Sequence, residues 1–168
     1  KGYRFFVESL KQSQSEEKKA KAAFQKELSL YQNQRDRQLV YRAVDILSKV
    51  VDNLAFATLP DNNQTIFLGV SKVLRQPEFV THPEIASRVV EVFEKNFVSL
   101  VETLNIDQEA RVFIGEENLI EQFQSCSMLV TRYQIEDRRG ALGILGPMRM
   151  RYSYNRVALE QAKYFLES

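Results

Sequence analysis

The segment from Gly140 to Tyr152, G-A-L-G-I-L-G-P-M-R-M-R-Y, constrains the possible folds of this chain more than any other stretch. It holds three of the six glycines, Gly140, Gly143 and Gly146, and Pro147 follows the third. Glycine weakens a strand unless another group approaches its backbone closely or its φ is positive. The apolar residues between the glycines suit a short buried strand, and proline stops strand pairing because it has no N–H. The pattern predicts a strand, then a tight turn, then a helix.

The first fifty residues predict two successive helices. No proline occurs before Pro60 and no glycine between Gly2 and Gly69, while Lys, Glu, Gln, Ala and Leu dominate. This composition favours helix from about Tyr3 to Asn53. A break is expected at residues 33–36, where residue types that suit an N-cap interrupt the apolar pattern.

The first of these helices is expected to form an arm over residues 1–33. Its apolar residues are too sparse for burial in one compact core, and a helix of about thirty residues extends ~45 Å. We therefore expect the arm to pair with a second copy of the chain in a homodimer. The residues expected to carry this pairing are Phe6, Leu10, Phe24, Leu28 and Tyr31.

The second helix has a wide apolar face, which predicts that it packs on a sheet. The residues of that face recur at spacings of three and four: Leu39, Val40, Ala43, Val44, Ile46, Leu47, Val50 and Val51.

Further along the chain, short apolar runs bounded by turn signals predict about five strands. They lie at residues 54–59, 65–69, 111–115, 127–135 and 140–145, and the first two suggest a hairpin. Ser71 is expected to cap a short helix through Leu74. A longer helix is expected from Pro83 to about Leu104, and a closing helix from about Tyr154. The predicted fold class is α+β: an antiparallel sheet packed by helices and preceded by a long helical arm.

The composition, 44% apolar and 27% charged, is that of a soluble globular protein. No apolar run approaches the length of about 18 residues that spans a membrane, so no membrane association is expected. The single cysteine, Cys126, has no partner for an internal disulfide, which fits the reducing cytoplasm. It lies among apolar and small residues, which favours a buried structural thiol over a nucleophile.

Charge is spread unevenly along the chain. Residues 1–42 hold ten Lys/Arg against five Asp/Glu, a surplus of +5, and the remainder holds thirteen against seventeen, a deficit of −4. A basic arm would suit a segment that leaves a DNA-bound domain. A solvated helix face gives a similar pattern and is the more economical interpretation.

No residue pattern points to an active site, a metal or a cofactor. His82 and Cys126 are the only residues of their types, and they form neither a recognisable triad nor a metal-ligand spacing. The glycine spacing does not match a phosphate-binding loop. Arg149 could bind an anion, or it could pair with an acidic residue such as Asp137 or Glu117; the structural role is favoured. The sequence predicts a protein that is not an enzyme.

The glycine segment resembles the C-terminal signature G-x-L-G-x-L-G-P-x-R-M-x-Y of the HrcA family of heat-inducible transcription repressors. Four other stretches resemble that family in order along the chain. They are K-G-Y-R-F-F-V-E-S-L at residues 1–10, Q-P-E-F at 76–79, V-F-I-G-E-E-N at 112–118, and C-S-M-L-V with a later tyrosine at 126–133. The motif residues expected to carry a structural or regulatory role are Gly115, Glu117, Asn118, Gly140, Gly143, Gly146, Pro147, Arg149 and Tyr152.

The resemblance implies a GAF-like regulatory and dimerisation domain over residues 34–168, which follows the arm. In the intact protein, a winged-helix domain that this chain lacks would bind operator DNA before chaperone genes. The chaperonin GroEL would sustain the active form of that protein.

The chain departs from the family pattern at several points. Met148 replaces the usual Thr, Arg151 replaces the usual Asp, and the stretch between Leu59 and Phe79 is too short for the dimerisation subdomain that family members carry there. Roles of that subdomain are not transferred to this chain.

A second hypothesis is a small-molecule sensor domain of another transcription regulator, because GAF-like folds often bind ligands between sheet and helices. An apolar cavity with a few convergent polar groups would favour the sensor, whereas a filled core and a symmetric interface would favour the repressor domain.

Overall fold

The computed structural model describes residues 14–29, 34–60, 64–95, 97–118 and 120–168. The chain divides into two compact units, Lys1–Gln34 and Arg35–Ser168. In the first unit, helix α1 spans Gln14–Ser29. Helix α2 spans Gln34–Val51, so two helices are observed where two are predicted. Residues 34–36 of the expected break belong to α2, and residue 33 lies outside the described residues. The predicted helix start near Tyr3 lies outside the described residues.

The second unit is built around one five-stranded antiparallel sheet with the order β2-β1-β5-β4-β3. Its strands are β1 (Leu54–Thr58), β2 (Thr65–Leu68), β3 (Arg111–Ile114), β4 (Cys126–Ile135) and β5 (Arg138–Pro147). Besides α2, its helices are α3 (Val70–Leu74), α4 (Pro77–Val80), α5 (Pro83–Lys95), α6 (Phe97–Thr103) and α7 (Tyr152–Glu167). Two short 3-10 helices span Gly115–Glu117 and Glu121–Phe123. This is the α+β architecture that the sequence predicts, an antiparallel sheet of five strands packed by helices.

Helices cover the sheet on both faces because the central strands are apolar on both sides. In β1, Phe56 packs with α5 and α6, whereas its neighbours Ala55 and Ala57 pack with α2 and α7. The same alternation runs through β4 and β5, as expected when successive side chains point to opposite faces. The sheet is therefore the middle of three layers, with α2 and α7 on one side and α3 to α6 on the other.

Phenylalanine rings fill the layer between the sheet and α5/α6. The ring centroid of Phe93 lies 5.4 Å from that of Phe56, 4.6 Å from that of Phe97, and 5.3 Å from those of Phe67 and Phe123. Such tilted and stacked pairs stabilise a core beyond the area that they bury. This side of the sheet holds a packed aromatic core.

Close approach, rather than positive φ, explains the glycines of β5. A β-carbon on Gly140 would lie 2.5 Å from the Thr58 carbonyl oxygen and 2.6 Å from the Tyr133 ring. Positive φ occurs instead at Gly69 and Gly115, with values of 93° and 57°. Of the two reasons that the sequence suggested for glycine in this segment, the first is correct.

Several predicted boundaries are wrong. Ser71 does not cap α3, which starts at Val70 behind a left-handed Gly69. The Gly146-Pro147 step does not stop the sheet, because β5 stays in register with β4 up to the pair Cys126–Pro147; proline is tolerated at a strand end. The closing helix begins at Tyr152, two residues earlier than predicted.

The helix expected from Pro83 to about Leu104 is observed on both sides of residue 96, which lies outside the described residues: α5 spans Pro83–Lys95 and α6 spans Phe97–Thr103. One further segment differs from prediction. The hairpin between β4 and β5 is tighter than the four residues expected, since the strands end at Ile135 and resume at Arg138. Glu136 in this turn has a φ of 58°.

Candidate functional site

Most of the family-like motif residues meet at one corner of the sheet, where β3 and β5 end and β4 begins, whereas Gly140 and Gly143 lie further back along β5. Ser127 pairs with Ile114 of β3 on one side and with Gly146 of β5 on the other. A β-carbon on Gly115 would lie 3.0 Å from the Met148 sulfur. Stretches that are far apart in sequence thus form one local structure, which we call the motif corner: residues 76–78, 114–118, 124–127 and 146–152.

Asn118 is the hydrogen-bonding centre of the motif corner. Its side-chain amide nitrogen lies within 3.0–3.2 Å of four backbone carbonyl oxygens, those of Phe113, Gly115, Phe123 and Cys126. The residue is buried, so these carbonyls have little access to water. Since a buried carbonyl without a partner is costly, this amide ties the end of β3 and both 3-10 turns to the start of β4.

Glu117 and Tyr152 make shorter-range links in the same corner. The Glu117 carboxylate accepts a hydrogen bond from the backbone N–H of Ile114 at 3.3 Å. The Tyr152 hydroxyl contacts the Ser127 hydroxyl at 2.6 Å and donates to the Met148 carbonyl oxygen. Tyr152 therefore fixes the first turn of α7 to β4 and to the turn after β5.

Arg149 pairs with the Q-P-E-F segment, and neither of the acidic partners suggested from sequence is involved. Its guanidinium donates to Glu78 Oε1 at 3.1 Å and to Gln76 Oε1 at 2.9 Å. The hydrogen bond from Arg149 holds the pKa of the Glu78 carboxyl below its usual value. The predicted structural role for Arg149 is supported, but Asp137 and Glu117 are the wrong partners.

Cys126 is buried in the core at the start of β4. Burial raises the pKa of its thiol from the ordinary 9.0 to about 12, with a smaller contribution from the Glu78 charge. A thiol that stays protonated is a poor nucleophile. The prediction of a buried structural thiol is thus supported.

A second feature is a surface groove between α2 and α7, on the face of the sheet opposite the aromatic layer. This α2/α7 groove has a volume of about 590 Å³. Ten residues line it: Ala43, Ile46, Leu47 and Val50 from α2, and Tyr154, Val157, Ala158, Gln161, Ala162 and Phe165 from α7. Gln161 is the one polar residue among them. The groove can take an apolar helix or a second apolar face, and it offers no group suited to bond-making chemistry.

The predicted dimerisation arm is only partly described. Phe24 lies in α1 and is 65% exposed, and Leu28 belongs to the same helix. Phe6, Leu10 and Tyr31 lie outside the described residues. Pairing through the arm remains a prediction.

The described part of the chain shows neither a metal site nor a membrane-spanning helix. It has no group of three or more His, Cys, Asp or Glu residues placed to hold a metal ion. None of its described helices is long and apolar enough to cross a membrane.

The comparison with known families decides the assignment of the chain. The family profile "HrcA protein C terminal domain" matches residues 4–154, which include every stretch of the motif corner up to Tyr152. The chain belongs to the HrcA family. This confirms the resemblance found from the motifs.

Relatives of this HrcA-family chain are named heat-inducible transcription repressor HrcA. That of Desulfitobacterium hafniense is 31% identical over 121 residues, 70% of this chain and 33% of the relative. That of Natranaerobius thermophilus is 31% identical over 113 residues, 67% of this chain and 32% of the relative. The chain thus spans about a third of the length of these curated relatives.

A solved structure shares the fold of this HrcA-family chain. The crystal structure of a hypothetical protein at 2.2 Å resolution matches with a TM-score of 0.65 and 9% identity. The match covers 78% of this chain and 68% of the other. At that identity the likeness shows the fold alone.

Sequence reasoning missed the exposed edge of the α2 face. All eight apolar residues of α2 were expected to face a sheet, but Ile46 and Val50 are exposed and border the groove. The width of the face was the available signal. One side of a helix cannot bury eight residues spread over half of its circumference against a single flat sheet.

Proposed function

We propose that this chain is the regulatory and dimerisation domain of a transcriptional repressor of heat-shock genes. The observation that carries the proposal is the family match over residues 4–154, together with relatives named as heat-inducible repressors. The intact protein would bind operator DNA through another domain and would act in the cytoplasm. This domain would bring two DNA-binding domains to the spacing of a two-fold operator.

The structure supports a binding role rather than an enzymatic one. The motif corner uses its polar side chains internally, since Asn118, Arg149 and Tyr152 all engage groups of the same chain. The Cys126 thiol is buried and protonated at neutral pH. In this proposal, the motif corner maintains the shape of the domain and performs no reaction.

The filled aromatic layer favours the repressor domain over the small-molecule sensor. Phe56, Phe93, Phe97 and Phe123 occupy the space between the sheet and α5/α6 with ring contacts of 4.6–6.1 Å. A ligand pocket needs unfilled volume and convergent polar groups. A ligand there would have to displace phenylalanine side chains.

Chaperonin control belongs to the same proposal and rests on the family resemblance. The chaperonin GroEL would bind the domain and sustain its active form. Purified chain denatured and diluted into buffer with or without chaperonin and ATP gives a direct test. We expect a higher yield of folded, soluble chain with chaperonin, and an equal yield would contradict this part of the proposal.

Dimerisation is tested by fusing the chain to a DNA-binding domain that represses a reporter gene only as a dimer. We expect the fusion to repress, and the unfused DNA-binding domain at the same expression level to leave the reporter active. A fusion that is folded and abundant but fails to repress would contradict the dimerisation role.

A further inference from the structure

We propose that the α2/α7 groove is the surface on which a second copy of this chain docks. The inference rests on the proposed dimerisation role and deepens it, because it assigns that role to one surface. It differs from the expectation for the N-terminal arm, which involves residues 1–33 and none of the groove.

The first support is that apolar side chains project into solvent along two neighbouring helices. Ile46 and Val50 of α2 are 54% and 45% exposed, and Tyr154, Val157 and Phe165 of α7 are 43%, 58% and 37% exposed. These five side chains leave on the order of 400 Å² of apolar surface in water, the size of patch that marks an interaction site on a monomer.

The second support is that this apolar area supplies about half of the surface that one partner contributes to a standard dimer interface. A standard interface covers about 800 Å² on each partner, with an apolar centre and a polar rim. The five apolar side chains supply the centre. Exposed neighbours on the same helices, Arg42, Lys49, Glu160 and Tyr164, supply polar groups for the rim.

The third support is electrostatic. The lining of the groove contains no charged residue, so pairing with a second copy would bury no charge without a partner. Beside the groove, Lys49 pairs with Asp45 at 3.1 Å and Arg156 pairs with Glu160 at 3.3 Å, each within its own helix. Both signs of charge are present, so two copies do not repel each other. An uncharged groove offers nothing to attract nucleic acid or a highly charged peptide.

The shape of the groove also fits self-association. Its lining on α7 runs from Tyr154 to Phe165, about three helical turns, and on α2 from Ala43 to Val50, about two turns. Two such helix pairs related by a two-fold axis would form a four-helix contact with a shared apolar centre. A two-fold contact of this kind closes on itself and does not continue into a filament.

The test compares two valines that are similarly exposed on helices. Val157 lies in the groove, whereas Val80, 64% exposed, lies on α4 in the opposite layer. Light scattering behind a sizing column, over a hundredfold dilution series, gives the dimer dissociation constant of the parent chain, Val157→Asp and Val80→Asp. We expect Val157→Asp to weaken the dimer at least tenfold and Val80→Asp to leave it within twofold of the parent.

The outcomes separate this inference from the proposed function. A parent dimer that Val157→Asp does not weaken would overturn the groove as the docking surface and leave the dimerisation role standing. A parent chain that stays monomeric throughout the series would overturn both. Circular dichroism on each variant checks that the fold is retained.

A second measurement identifies what occupies the groove without relying on an introduced charge. Cys126 is buried, so a thiol introduced by Val157→Cys is the main reactive site for a maleimide. We expect labelling to slow as protein concentration rises through the dissociation constant. Protection that does not depend on concentration would mean that the chain covers its own groove. Fast labelling at every concentration would mean that nothing covers it. Either result overturns the proposal.

Discussion

Gly143 lies directly opposite Phe56 in the pairing of β1 with β5, and a β-carbon on Gly143 would come within 2.4 Å of Phe56 Cζ. The same β-carbon would lie 2.6 Å from the Leu129 carbonyl oxygen, which belongs to the neighbouring strand β4. The glycine is therefore required by the aromatic core, since the Phe56 ring occupies the space that a side chain at position 143 would need. This relationship links the family-like glycine segment to the packing of the layer beneath it.

We expect Gly143→Ala to destabilise the chain by about 1–3 kcal/mol, because neither the ring nor the backbone oxygen can move freely. Gly146→Ala should cost less. Its nearest groups are the ends of the Asn53 and Met150 side chains, at 2.8 Å and 3.3 Å, and these can shift. Urea denaturation midpoints of both variants measure the difference. Equal losses of stability in the two variants would show that the loss of glycine itself, rather than crowding of the new methyl group, causes the destabilisation.

Asn118 and Asn155 form a matched pair, since both are buried to the same extent. The two N–H groups of the Asn118 amide are shared among four carbonyl oxygens while its Oδ1 has no partner among the described residues, and neither polar side-chain atom of Asn155 has one. We expect Asn118→Ala to lower the free energy of unfolding by about 2–4 kcal/mol, because it leaves buried carbonyl oxygens without a hydrogen-bond donor. Asn155→Ala removes the same volume and should cost at least 1 kcal/mol less. Denaturant unfolding of the two variants decides the point, and a larger loss for Asn155→Ala would contradict the assignment of Asn118 as the centre of the corner.

The Arg149–Glu78 pair should contribute little and in a pH-dependent way. Both side chains are partly exposed, and such pairs are worth about 0–1 kcal/mol. The pKa of Glu78 is lowered in the fold, so the contribution is present above the ordinary carboxyl value of 4.5 and is lost as pH falls below it. The difference in unfolding free energy between the parent and Arg149→Ala should therefore shrink as the pH falls from about 6 to about 3, because the Glu78 carboxyl becomes protonated over this range. A difference that is constant over this range would rule out the ion pair as its source.

The Cys126 thiol should be unreactive in the native protein. We expect negligible reaction with a disulfide reagent at pH 8 and complete reaction in denaturant, because burial keeps the thiol protonated. Because the folded-state pKa is raised, its contribution to stability is complete below the ordinary value of 9.0 and declines as pH rises toward about 12. Cys126→Ala should consequently lose less stability than the parent over that alkaline range. Fast native labelling would mean that the start of β4 opens.

The basic segment at the start of the chain should bind DNA weakly and without sequence preference. Residues 1–42 carry a surplus of +5, and electrostatic binding to phosphates falls steeply with salt. Titration of an operator duplex and of a scrambled duplex at physiological salt provides the measurement. A clear preference for the operator would show that this chain reads bases itself.

Most of the fold was predictable from local patterns. Strand runs bounded by turn residues placed all five strands, and the spacing of apolar residues placed α2 and α7. The errors fall where local and tertiary preferences compete. Ser71 has the chemistry of a cap, yet Gly69 takes the position, because the backbone there is left-handed and a β-carbon would lie 2.6 Å from the Asn53 carbonyl oxygen. That close contact involves a residue sixteen positions away and leaves no local trace.

The candidate site was predictable as a set of residues but not as an arrangement. The motifs named Asn118, Arg149 and Tyr152, whereas the four carbonyls around Asn118 and the Gln76/Glu78 partners of Arg149 became visible only in the fold. The partners of Arg149 lie more than seventy residues away, so they depend on how the layers stack. The carbonyls around Asn118 lie within eight residues of it, but they belong to irregular turns that have no simple sequence pattern.

The sequence by itself determined the family, the α+β class and the approximate positions of the strands, because these follow from residue types and their spacing along one chain. The tertiary structure alone decided which part of the apolar face of α2 is covered. Helix α2 buries Val40, Val44 and Leu47 against the sheet and leaves Ile46 and Val50 in solvent beside α7. A helix has one apolar surface but a sheet covers only part of it, so the remainder is assigned by the neighbours that the fold brings alongside.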